Sequence, residues 1–150
     1  MITNVGNVLN ATTGDVPVQG RIASGVKGMQ MDETAWLAGI CTAENTGYAV
    51  IVTNQGNAKK VAMKEIDKMV RYRKGLAIAT GMAKGEEIVF ATFARPGDDL
   101  VVKTERGELL ARNVDKIPTV TRVGKMKNIF GKQQIVKAWL HRTDFATPEC

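Results

Sequence analysis

The chain has 150 residues, enough for one ordinary domain that buries a core without disulfides or metal. Apolar residues make up 44% and charged ones 24%, which excludes a disordered tail, and no apolar run reaches the roughly 20 residues that cross a bilayer. The net charge of +6, a start unlike a signal peptide and only two cysteines, Cys41 and Cys150, point to a cytoplasmic protein with acidic partners, nucleic acid before membrane.

The first element met is a Thr-x-x-Gly at Thr3–Gly6, and it recurs at Thr53–Gly56 and Thr104–Gly107, in steps of 50 and 51 residues. Thirteen residues after each threonine stands a branched aliphatic, Val16, Ile66 and Ile117, and eighteen after it an arginine, Arg21, Arg71 and Arg122. A glycine follows closely: Gly25, Gly75 and Gly124. Four kinds of match in one order divide the chain into three repeats, about 1–47, 48–97 and 98–145. The first repeat holds two basic and four acidic side chains, the second nine and four, and residues 98–150 hold ten and seven, so the positive charge lies in the later units.

In the first repeat the opening strand is short or missing, as if the chain were a piece of something longer. The second opens with Ala49–Val52, of strand length and β-branched composition. Asn54-Gln55-Gly56-Asn57 then turns the chain, with glycine where a hairpin needs positive φ, and Lys59–Met63 returns. Lys59–Arg73 also carries the loose spacing of an amphipathic helix, but the matching stretch Val8–Val18 contains Gly14 and Pro17, so the repeat predicts strand and then loop, with at most a helical turn near Lys64–Lys68. Leu76–Ala79 and Ile88–Phe93 complete four strands. The third repeat offers Leu100–Val102, Leu109–Asn113, Met126–Ile129 and Ile135–Leu140, and residues 146–150 read as a frayed end. Four short strands per roughly 50 residues are an all-β blade.

Gly20–Met29, Ala49–Thr53, Gly56 and Lys59-Lys60-Val61, set in this period, resemble the C-terminal repeats of the A subunit of type IIA DNA topoisomerases, gyrase and topoisomerase IV. The likeness runs over about residues 2–142. It implies a β-pinwheel, propeller-like blades whose basic rim binds and bends or wraps duplex DNA, in the bacterial cytoplasm at the nucleoid. It implies an accessory domain, with no cofactor on this chain, working beside the A-subunit core and the ATP-binding B subunit of an ATP-dependent isomerase of DNA topology. Two features depart from the pattern. The basic heptad of gyrase, roughly Gln-Arg-Arg-Gly-Gly-Lys-Gly, has no match, and three blades fall short of the five or six of a closed disc, which leaves open blade edges as a route to self-association.

On their own chemistry, the cations offered to DNA are Arg21, Lys27, Lys59, Lys60, Arg71, Arg73, Lys74, Arg122, Lys125 and Lys127. Such a surface grips phosphates without reading sequence. Lys59 and Lys60 are neighbours on one strand, so at most one faces the rim. The three recurrent arginines fit two roles, DNA contact or bridges between blades through carbonyls. The alternative to DNA binding is a blade-repeat scaffold for protein partners. No catalytic or metal residue is predicted: His141 reads as half-buried, Cys41 as a small buried apolar residue, Glu86-Glu87 and Asp98-Asp99 as turn acids, and Trp36, Phe90 and Trp139 as core.

Overall fold

Each Thr-x-x-Gly closes a hairpin by the same devices. The threonine hydroxyl accepts a hydrogen bond from the N–H four residues on, at 3.0 Å from Asn7 to Thr3, 3.3 Å from Asn57 to Thr53 and 3.1 Å from Glu108 to Thr104. The glycine N–H returns to the threonine carbonyl, and the glycines themselves sit at φ of 89°, 82° and 88°, where a side chain is strained. All three threonines are buried.

The computed structural model describes residues 1–142. Its strands are β1 (Ile2–Thr3), β2 (Asn7–Val8), β3 (Leu37–Gly39), β4 (Tyr48–Thr53), β5 (Asn57–Ala62), β6 (Leu76–Ala77), β7 (Ile88–Ala94), β8 (Asp99–Thr104), β9 (Leu109–Asn113), β10 (Lys127–Asn128) and β11 (Ile135–His141). Three antiparallel sheets result, ordered β3-β1-β2-β6, β10-β5-β4-β7 and β11-β8-β9. The all-β blade architecture expected from the repeats is therefore present, and β5 is a strand rather than a helix. One strand of each of the second and third repeats pairs outside its own unit. β6 pairs with β2 of the first repeat (Leu76 opposite Val8) and β10 with β5 of the second (Lys127 opposite Ala58). The first two blades are each completed by a strand donated from the next repeat, and the third has three strands among the described residues.

Two cores lie between successive blades. Ala49, Ile51 and Val61 face Ile2, Val8 and Ile78 in the first; Val50, Val52 and Ala58 face Leu100, Val102 and Val114 in the second. β4 therefore buries both of its faces, which is why it reads as an unbroken apolar run, whereas β8 packs only one face and alternates. After each return strand comes a short 3₁₀ turn, Thr13–Asp15, Met63–Glu65 or Val114–Lys116. Ile66 and Ile117 then drop into the two cores, but Val16, at the same position, stays exposed because no described blade packs beyond it.

Gly75 shows how closely the donated strand approaches. A Cβ there would stand 2.1 Å from the Val8 carbonyl oxygen, at a φ of +81°. We expect Gly75→Ala to cost about 2–4 kcal/mol, from left-handed strain plus a backbone clash that lifts β6 off β2. Gly25→Ala, at φ +87° with nothing within 4 Å, should cost only about 1 kcal/mol. Urea denaturation of both variants checks the difference.

Several placements correct the sequence reading. Cys41 is exposed rather than buried, and His141 ends β11 exposed rather than half-buried. Trp36 and Trp139 are exposed, Trp139 opposite Val101 on the face of the third blade turned away from the second core, while Phe90 packs against that core as expected. Cys150 and the expected frayed end lie outside the described residues.

Candidate nucleic-acid interface

The loops that follow the aliphatic corners run side by side across the blades. Arg71 donates from Nε to the Asp15 carbonyl at 2.9 Å and from Nη1 to the Lys27 carbonyl at 2.8 Å. Tyr72 N–H donates to the Gly28 carbonyl and Gln30 N–H to the Arg73 carbonyl, joining the first two loops by backbone. One seam further, Arg122 Nη1 donates to the Ala77 carbonyl at 2.6 Å, and the Thr80 hydroxyl to the Val123 carbonyl at 3.1 Å. Lys27 and Ala77 stand at the same position of their repeats. Two of the three recurrent arginines, Arg71 and Arg122, are thus bridges between units, and with the backbone bonds they tie residues 21–30, 71–80 and 122–128 into one band.

Exposed cations line this band: Arg21, Lys27, Arg73, Lys74, Lys125 and Lys127. Arg71 and Arg122 are half-buried in the seams. Lys74 lies 3.0 Å from Asp32, with both side chains more than half exposed, so that pairing is weak and competes poorly with a phosphate. Tyr72, which sequence reasoning did not single out, belongs here too. It takes φ +61°, the one non-glycine residue at positive φ among the described residues, and its ring lies 5.6 Å from the Lys27 ammonium. That kink separates Arg71, turned into the seam, from Arg73, left in solvent.

Two cations expected on the rim are interior instead. Lys59 is fully buried, and its ammonium donates to the carbonyls of Thr121, Arg122 and Gly124 at 3.3, 2.8 and 2.7 Å. Lys60 is buried too, donating to the Val114 and Asp115 carbonyls with its ammonium 4.7 Å from the Tyr48 ring. Both faces of their strand are covered, so neither rotation reaches solvent. Burial brings the Lys59 ammonium down from 10.5 to about 8; nearby Glu65 opposes this and Arg122 adds to it. These lysines staple the third repeat's loop to the second blade. Sequence alone held one clue, the unbroken apolar run of β4, which marks a blade covered on both sides.

The band is a series of loops joined by hydrogen bonds, and its exposed cations give it the chemistry of an anion-binding surface. Comparison with known proteins places it in context. The family model described as DNA gyrase C-terminal domain, β-propeller, matches residues 1–40 and 47–94. The A subunit of DNA topoisomerase 4 from Bacillus subtilis (strain 168) is 24% identical over 148 residues, 96% of this chain and 18% of that protein. The chain thus spans under a fifth of that relative's length. The solved C-terminal domain of DNA topoisomerase IV superposes with a TM-score of 0.83 at 22% identity, covering 93% of this chain and 45% of that one. The C-terminal domain of DNA gyrase A superposes with a TM-score of 0.79 at 18% identity, covering 91% and 48%.

Proposed function

The chain belongs to the DNA gyrase C-terminal β-propeller family, and on that premise we propose that it captures duplex DNA along the band of loops and bends it. The observation that carries this reading is the band's continuity: hydrogen bonds at both seams hold Arg21, Lys27, Arg73, Lys74, Lys125 and Lys127 on one strip across three blades. A rigid strip of cations gains free energy by releasing counterions from phosphates, which look alike along any duplex, so it binds without reading sequence. Bending 20–30 base pairs costs on the order of 1–6 kcal/mol, which several such contacts offset.

In this reading the chain is an accessory, non-catalytic part of a topoisomerase A subunit. It presents a bent segment to the strand-passing core, where the cleavage chemistry takes place, while ATP is held by the B subunit. The test is affinity for two unrelated duplexes across a salt series. With about five phosphates neutralised, log K should fall against log[salt] with a slope of roughly −4 to −5 for both sequences. Absence of binding at low salt would favour the protein-scaffold alternative.

A further inference from the structure

The two seams inside the chain are built from the same parts, and each part recurs once more without a partner among the described residues. The donated strand of repeat two lies on β2 and that of repeat three on β5, whereas β9, the third return strand, has no described strand on its outer side. Leu109 is 61% exposed where its counterparts Val8 and Ala58 are 4% and 0%. At the other end Val16 is 55% exposed where Ile66 and Ile117 are 3% and 2%. The glycines follow the same division. Cβ atoms at Gly6 and Gly56 would stand 2.8 and 2.7 Å from backbone of the following repeat and one at Gly75 2.1 Å from the preceding one, but Gly107 and Gly25 have nothing within 4 Å.

These orphan halves are complementary, and the internal seams state how they join. We infer that two copies of this chain associate head to tail, residues 16–29 of each completing the β9 edge of the other, so that two sets of three blades close one disc. At the internal seam Lys60 N–H donates to the Pro118 carbonyl and Val120 N–H to the Lys60 carbonyl. The same offsets place Ala111 N–H on the Pro17 carbonyl and Gln19 N–H on the Ala111 carbonyl, across the two copies. Leu76 opposite Val8 and Ala77 opposite Asn7 translate into Val26 opposite Leu109 and Lys27 opposite Glu108. An exposed apolar pair and an exposed opposite-charge pair thus come into register. Arg21 takes the bridging place of Arg71 and Arg122 and reaches the Asn128 carbonyl.

Head-to-tail contacts close only if the rotation between blades allows it and otherwise continue as an open series.

The test is the mass in solution of the 150-residue chain, without DNA, up to about 100 μM. A mass twice the 16.3 kDa of one chain is expected. Gly25→Ala puts a Cβ into the strand approach, and Ala111→Pro removes the outward N–H. Each should weaken association by about tenfold or more while leaving the circular dichroism of the monomer unchanged. Lys27→Glu should weaken it and Lys27→Glu with Glu108→Lys restore it. A monomer throughout the range, association indifferent to all these variants, or an open series beyond two copies would each overturn the inference. None of these readouts depends on DNA binding.

Discussion

Lys59→Ala is expected to lower folding stability by about 3–5 kcal/mol, far more than any exposed lysine on the band. The side chain is fully buried, so truncation leaves a cavity where the stem lay, and it orphans three carbonyls at Thr121, Arg122 and Gly124 that have the ammonium as donor. The damage should spread beyond the cavity, because those carbonyls belong to the loop from which β10 is donated to β5. Lys59→Met separates the two contributions. It keeps most of the volume, removes the buried charge and still orphans the carbonyls, so it should fall between wild type and Lys59→Ala.

The pH dependence gives an independent check on the same residue. Burial holds the folded-state Lys59 at about 8 against 10.5 for an ordinary lysine. Between those values the unfolded chain keeps a proton that the folded chain has released, so unfolding takes up a proton and stability rises with pH through the window. The rise attributable to Lys59 amounts to about 3 kcal/mol in full, is absent below pH 8, and should be missing in Lys59→Met. Urea midpoints of the two proteins from pH 7 to about 10.5 would show it. Parallel curves would mean that the buried ammonium relaxes toward water.

The parts of this fold legible in the sequence are the ones set by local chemistry. A hairpin closed by threonine and glycine has its signature within five residues, and three copies fix the period. Strand exchange has no such signature. Leu76-Ala77 looks like a strand wherever it pairs, and only the close approach of Gly75 to Val8 tells its true partner. For the same reason Val16 reads as a corner equal to Ile66 and Ile117, although no described blade packs on it. The exposed Trp139 follows from this geometry too, since the outer face of the third blade lacks, among the described residues, the neighbours that cover the second. The cations divide along a related line. A lysine on a strand reads as a rim residue because charge is seldom buried, but here backbone carbonyls of the donated loop solvate it.

Replacing Arg73, Lys74, Lys125 and Lys127 together by alanine should weaken duplex binding by about 100- to 1,000-fold near 0.1 M salt and make the log–log salt slope shallower by roughly 3 to 4. These four are chosen because each is exposed and none holds a seam, apart from the weak contact of Lys74 with Asp32. The bridging arginines would not serve. Arg71→Ala or Arg122→Ala strips hydrogen bonds from the carbonyls of Asp15, Lys27 or Ala77, so a loss of affinity there would mix phosphate contact with a loosened blade. The slope keeps the two apart. Removing a phosphate contact changes the number of counterions released, whereas loosening the blade lowers affinity and leaves the slope of the surviving contacts nearly as it was. A quadruple variant that unfolds at the wild-type midpoint yet binds with unchanged slope would take DNA off this band.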